Sequence, residues 1–241
     1  MNDIDAIAAL QDPVRRRLYD YVAAQGREVG RNEAAEAVGV ARTLAAHHLD
    51  RLVEAGLLES GSRRLTGRAG PGAGRPAKVY TRAPVERTVS LPARDYRTAA
   101  ELLAEAAEQA GLDAGLCAAA RRRGESLRGS AAPCGGLEEA MEMLAARGYE
   151  PHWESVEGVE GTEGTEGAEG VEGASGAGGR VVRMRNCPFH AVAERFPPLV
   201  CGMNLALLEG LFGTDGPVRA RMDARPGECC VVIEPSKNNN R

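Results

Sequence analysis

The stretch Asn32–Leu58, NEAAEAVGVARTLAAHHLDRLVEAGLL, decides the fold of the first third of the chain. Asn32 to Val38 sets Ala34, Ala35 and Val38 on one side of a short helix, and Gly39 ends it. Ala41 to Ala55 repeats the helical spacing, with Leu44, Ala45, His48, Leu49 and Leu52 on one face and Gly56 as the terminating residue. Upstream, Ile7, Leu10, Val14, Leu18, Tyr21 and Val22 recur at helical intervals. Asp12-Pro13 reads there as an N-cap followed by proline at the first helical position, so a short lead-in helix precedes a main helix over Pro13–Ala24. Downstream, Leu57–Ser60 and Lys78–Arg82 read as two short strands around a Gly- and Pro-rich loop. Helix, short helix, glycine turn, helix and a hairpin with a basic tip make a winged helix-turn-helix.

The charge agrees with that reading. Over 241 residues the formal net charge is −4, yet residues 1–88 hold 14 Lys+Arg against 11 Asp+Glu, while the remainder holds 16 against 23. From Gly61 to Arg82 there are six basic residues and no acidic one, which points to a polyanionic partner. The outward face of the third helix would carry base-reading residues: Arg42, Thr43, Ala46 and His47. An arginine there can donate to guanine O6 and N7, and the Ala46 methyl can meet a thymine methyl. Arg51 and the wing residues Arg63, Arg64, Arg68, Arg75 and Lys78 are placed for phosphate. His48, on the Leu44/Leu52 face, reads as a core residue.

Three segments, Asp12–Leu18, Gly39–Leu49 and Leu52–Leu58, resemble the ArsR-type winged-helix repressors over roughly the first third of the chain. Ala41 departs from that pattern, which often has a serine cap there, and leaves only the cap in doubt.

Beyond the wing, Arg94–Leu127 is Ala-rich, with Tyr96, Ala99, Ala100, Leu102, Leu103, Ala106, Leu112 and Leu116 as an apolar stripe broken at Gly111 and Cys117 continuing it as a small buried residue. A helix in this place suits dimerisation, and a homodimer on a palindromic double-stranded DNA operator supplies the affinity one small module lacks. Gly136–Arg147 reads as an amphipathic helix, followed by a strand from Tyr149 to about Glu154. Six Xaa-Glu-Gly triplets then run from Val156 to Gly173 and lead into a Gly/Ala/Ser tail. Such a repeat cannot bury a core, so it reads as a disordered, expanded hairpin loop before an alternating strand over Arg180–Arg185. The fold class expected is α+β: a winged helix-turn-helix over 1–90, a helical dimerisation region over 91–130, and a small cysteine-bearing α+β domain over 131–235 with the Glu-Gly insertion at 155–179.

Four of the six cysteines lie in that last part: Asn186-Cys-Pro-Phe-His190, Leu199-Val-Cys-Gly-Met-Asn204 and Pro226-Gly-Glu-Cys-Cys-Val231. Thirteen residues separate Cys187 from Cys201 and 27 separate Cys201 from Cys229, and no Cys-x-x-Cys knuckle is present, which weighs against a zinc ribbon. Pro188 would put Cys187 at a helix N-cap, and Pro197-Pro198 would put Cys201 in the first turn of a helix ending at Phe212, where a thiol pKa falls. If Cys229 and Cys230 begin a strand they face opposite ways and only one joins the site, Cys229 being the choice.

These cysteine segments, with the winged-helix front, resemble the SufR family of iron–sulfur-sensing repressors over nearly the whole chain except the Glu-Gly insertion. The resemblance implies a repressor of cluster-assembly genes, a homodimer carrying one [4Fe–4S] cluster per subunit on Cys187, Cys201 and Cys229 or Cys230. The fourth ligand stays open between His190 and the second cysteine of the pair. The alternative within the same class is a regulator that senses thiol oxidation, through a Cys187–Cys201 disulfide, or Zn or Cu at the same cysteines. No phosphate-binding glycine loop, nucleophile elbow or paired-histidine motif points to an enzyme or a small-molecule substrate. With no long apolar run and no basic leader at Met1–Leu10, no membrane partner and a cytoplasmic location are expected.

Overall fold

The computed structural model describes residues 3–63, 76–156 and 179–236. The chain divides into two compact units, 1–94 and 95–241.

In the first unit α1 (Asp3–Ala8) and a 3-10 turn (Ala9–Gln11) lead into α2 (Pro13–Gln25), β1 (Val29–Gly30), α3 (Arg31–Val38), α4 (Arg42–Glu54), β2 (Leu58–Arg63) and β3 (Ala77–Arg82). Asp12 caps α2, its carboxylate accepting the N–H groups of Val14 and Arg15 at 2.9 Å each. Gly39 takes φ +69° at the end of α3, and its N–H returns to the last carbonyls of that helix. Leu18, Val22, Ala34, Ala45, Leu49, Leu52, Leu58 and Tyr80 form one core cluster. The antiparallel sheet has the order β1-β3-β2, with β2 and β3 in register from Leu58↔Arg82 to Arg63↔Ala77. The two wing strands are thus longer than expected, and β1 is a third strand too short for any periodicity to show. Leu44 departs from the expected inward face: it is 41% exposed, because the buried line of α4 runs through Ala45, His48, Leu49 and Leu52. Residues 64–75, with Arg64, Arg68 and Arg75, lie outside the described residues.

In the second unit α5 (Tyr96–Gln109), α6 (Asp113–Arg128) and α7 (Leu137–Ala145) precede β4 (Pro151–Val156), β5 (Gly179–Met184), α8 (His190–Ala193), α9 (Pro197–Phe212), β6 (Val218–Met222) and β7 (Val231–Pro235). The sheet is antiparallel, in the order β4-β5-β7-β6. Leu144 of α7 and Leu208, Leu211 and Phe212 of α9 share a core with Val182, Met184, Val218, Val231 and Ile233 of the sheet. The pairing Val156↔Gly179 makes the Glu-Gly repeat the connection of a β4–β5 hairpin; residues 157–178, on which its expected disorder falls, lie outside the described residues.

Gly111, at φ +63°, separates α5 from α6. The helices between wing and sheet do not stand apart: α6 lies along α9 with the two backbones touching at glycines. A Cβ on Gly124 would meet the Leu207 carbonyl at 2.1 Å, and one on Gly210 would meet the Arg121 carbonyl at 2.2 Å. On α5 the inward residues are Ala104 and Ala107, against Phe196, Leu199 and Val200. Tyr96, Leu102 and Leu103 of the expected stripe face outward instead. Among the described residues no helix is long and apolar enough to cross a membrane.

Candidate nucleic-acid interface and cysteine centre

Asp50, on α4, ties that helix to the wing. It accepts from Arg31 at 3.0 Å, Lys78 Nζ at 2.8 Å and the Tyr80 hydroxyl at 2.6 Å, and the same hydroxyl accepts from Arg31 Nε at 2.8 Å. Burial and the bond to Asp50 push the Tyr80 hydroxyl up to about 12, so it stays a proton donor. Burial works against ionisation of Asp50, but the bonds from Lys78 and Tyr80 outweigh it and hold the carboxyl below its usual range. His48 is buried as expected. Its Nδ1 accepts from Arg15 Nε at 3.4 Å, and burial lowers its pKa, which keeps the imidazole neutral.

The opposite face of α4 presents Arg42, Thr43 and His47 exposed and Ala46 partly so. The expected phosphate-contacting residues that the structure describes each carry a carboxylate partner: Arg51 with Glu54 at 2.7 Å, Arg63 with Glu28 at 3.3 Å and Lys78 with Asp50. Exposed pairs of the first two kinds are weak enough for a phosphate to displace. Lys78 is committed more firmly, because Asp50 is itself held by three donors.

The second site gathers four thiols from three segments. Cys229 is electrostatically coupled to both Cys187 and Cys230, and Cys230 to Cys201, while the Asn204 amide donates to the Cys229 sulfur at 3.4 Å. The neighbouring Cys187 and Cys230 thiols, helped by the Val231 N–H and Asn204 and opposed by burial, draw the Cys229 thiol down. The same coupling to Cys229, together with burial, drives Cys187 and Cys230 up. Of the coupled thiols, Cys229 is therefore the one drawn toward the thiolate.

The backbone explains the convergence. The Cys229 N–H donates to the Met184 carbonyl at 2.9 Å and the Cys230 carbonyl accepts from the Asp223 N–H at 2.7 Å, so the β6–β7 connection is fastened to the end of β5, three residues before Cys187. Arg183 reinforces this. It is 1% exposed, pairs with Glu154 at 2.8 Å and with Asp223, and stands 3.7 Å from Glu228, the neighbour of Cys229. From α9, fully buried Asn204 lies three residues beyond Cys201, on the same side of the helix. Its Oδ1 accepts from the Tyr149 hydroxyl at 2.5 Å and its Nδ2 donates to the Cys229 sulfur at 3.4 Å.

Several local expectations change here. Cys187 is not an N-cap: Pro188 and Phe189 form a turn, and α8 starts only at His190, whose N–H donates to the Cys187 carbonyl at 2.9 Å. Cys201 is the fifth residue of α9, past the first turn, because Pro197 opens that helix. Cys229 and Cys230 precede β7 instead of starting it, so strand alternation does not separate them and both join the cluster. His190 turns away: its side chain is 68% exposed and sits 3.2 Å from Glu194. Cys117 is only partly buried, its sulfur 3.6 Å from where a Gly202 Cβ would stand. Tyr149, Asn204 and Arg183 were missed. An asparagine within an apolar helix, one turn from a cysteine, was the available signal for Asn204.

Among the described residues no group of three or more His, Cys, Asp or Glu side chains is arranged to hold a metal ion as it stands. Ligation by thiols requires that their protons leave. The donor set, four partly or fully buried thiols, fits a thiophilic group in kind.

Comparison with protein families matches residues 10–61 to a helix-turn-helix domain, which spans α2, α3, α4 and most of β2. No curated protein and no solved structure matches the chain.

Proposed function

We propose that the chain is a transcriptional regulator that binds operator DNA through α4 and the wing, and whose operator affinity is set by an iron–sulfur cluster on Cys187, Cys201, Cys229 and Cys230. The helix-turn-helix domain supports DNA binding. The observation that carries the sensing half is the meeting of four thiols from three segments distant in sequence, in the same chain as that domain. Bound there, a [4Fe–4S] cluster would supply an oxidant-labile one-electron group. The chain's own part is to bring the sulfurs together, exclude most water from them and accept the loss of their protons. Resemblance to the SufR family points further, to a homodimeric repressor of cluster-assembly genes on a palindromic operator.

Protein purified without oxygen should be brown, contain iron and sulfide in similar amounts, and lose both in a Cys229→Ser or Cys201→Ser variant. Its operator affinity should differ between loaded and stripped protein. Equal affinity in both states refutes cluster control.

A second reading rests on the Cys187–Cys229 contact: a regulator without a cluster that senses thiol oxidation, or holds Zn or Cu, at the same sulfurs. In that case anaerobic protein is colourless. The disulfide formed on mild oxidation then joins Cys187 to Cys229, not to Cys201.

A further inference from the structure

The buried pair Tyr149–Asn204 has no place in the account of DNA binding and no thiol of its own. Asn204 is fully buried and Tyr149 is 4% exposed. A side-chain amide in an apolar core is costly unless its donors and acceptors are met. Leucine would fill the same space, so packing alone does not ask for Asn204. The Tyr149 hydroxyl, 2.5 Å from Oδ1, and the Cys229 sulfur, 3.4 Å from Nδ2, meet one acceptor and one donor of the amide. They also fix which way it points. With the Tyr149 hydroxyl donating to Oδ1, Nδ2 is left facing the Cys229 sulfur. Tyr149 is itself anchored at the end of α7 by its N–H to the Leu144 carbonyl at 3.2 Å.

We infer that Asn204, oriented by Tyr149, is the positioning residue of the cysteine centre: its amide N–H holds the Cys229 sulfur in place and withdraws charge from it. An N–H donor on a ligating sulfur stabilises the more negative, reduced state of the group that sulfur binds, so it raises the reduction potential. The inference rests on the reading of the cysteines as a cluster site, and its test separates the two.

The reduction potential of anaerobically reconstituted protein is measured for wild type, Asn204→Leu and Tyr149→Phe. Asn204→Leu should favour oxidation by roughly tenfold, a fall of about 59 mV for one electron. Tyr149→Phe should fall by less, because the N–H remains but loses its orientation. An Asn204→Leu protein that loads fully at the wild-type potential overturns the inference. The cluster-free readout is the Asn204 side-chain amide resonance of the metal-free chain, which should shift in Cys229→Ala. An unmoved resonance overturns the inference without any cluster. If wild type takes up no cluster but the resonance moves, the cofactor reading fails and the Asn204–Cys229 contact stands.

Discussion

Alanine at Gly124 tests the α6–α9 crossing on which the placement of Cys201 and Asn204 depends. The added Cβ would stand 2.1 Å from the Leu207 carbonyl oxygen and 2.6 Å from the Leu211 nitrogen, where ordinary contact begins at 3.4 Å. Both obstacles are backbone, so no side chain can swing aside. The helices must part by about 1 Å, on the scale of the overpacking that costs roughly 1–3 kcal/mol. Retreat is blocked on the α9 side, because Leu199, Val200, Asn204, Leu208, Leu211 and Phe212 are all buried. Alanine's better helix propensity offsets about 1 kcal/mol. A net loss of about 1 kcal/mol is therefore expected, rising to about 2 kcal/mol at the upper end of the overpacking cost. Gly115, in the same helix, is the control: its Cβ would meet nothing within 4 Å. Alanine there should stabilise by about 0.5–1 kcal/mol through propensity alone. Urea unfolding of the two variants should move the midpoint in opposite directions at an unchanged slope. Gly210→Ala should repeat the loss, and the double variant should lose less than the two added, since both side chains press on one crossing. A Gly124→Ala protein as stable as Gly115→Ala would refute the close approach of the helices.

Arg42→Ala should weaken specific operator binding by about 1–3 kcal/mol in an anisotropy titration and relax selectivity at one base pair, with little change on random DNA. Asp50→Asn keeps an acceptor for Tyr80 but loses the ion pairs to Arg31 and Lys78; these are partly exposed, so stability should fall by no more than about 1 kcal/mol. The released Lys78 should steepen the salt dependence of non-specific DNA binding by about one on a log–log plot. Arg183→Met removes the buried guanidinium but leaves Glu154 paired with Arg225 and Asp223 with Arg221, so no carboxylate is stranded and the loss should be about 1–2 kcal/mol by urea unfolding. His48 has a folded pKa below its ordinary value, so the unfolded chain binds the extra proton. Stability should be full above the ordinary histidine pKa of about 6.5, fall as pH drops below it, and level off beneath the depressed value. His48→Gln should flatten that slope.

The first unit was legible because its signals are local. Asp12-Pro13 caps a helix wherever it falls before one, and Gly39 and Gly56 take positive φ just where the apolar spacing stops. Leu44 was misplaced because five candidate inward residues exceed the width of the buried stripe, and sequence does not say which edge tips out. The hold of Asp50 on Lys78 was hidden for a different reason: they are 28 positions apart, and only strand register decides that β3 brings Lys78 to α4. Tyr96, Leu102 and Leu103 looked like core because apolar residues at helical spacing usually are; in this unit their side of α5 stays uncovered, and the alanines carry the packing.

The cysteine centre shows where spacing stops being informative. Intervals of 13 and 27 residues contain no geometry, and the two local devices expected to acidify the thiols, a helix cap and a first turn, are not the ones used. What lowers Cys229 is a set of groups drawn from elsewhere: two thiols, the Val231 N–H and the Asn204 amide. That set exists because β5 pairs with β7, which brings the Met184 carbonyl to the Cys229 N–H, and because the buried guanidinium of Arg183 gathers Glu154, Asp223 and Glu228 around the same connection. The surroundings that lower Cys229 are thus a property of sheet order. It follows that substitutions at residues other than the cysteines, at Arg183 or along the glycine crossing, should disturb the arrangement of the thiols.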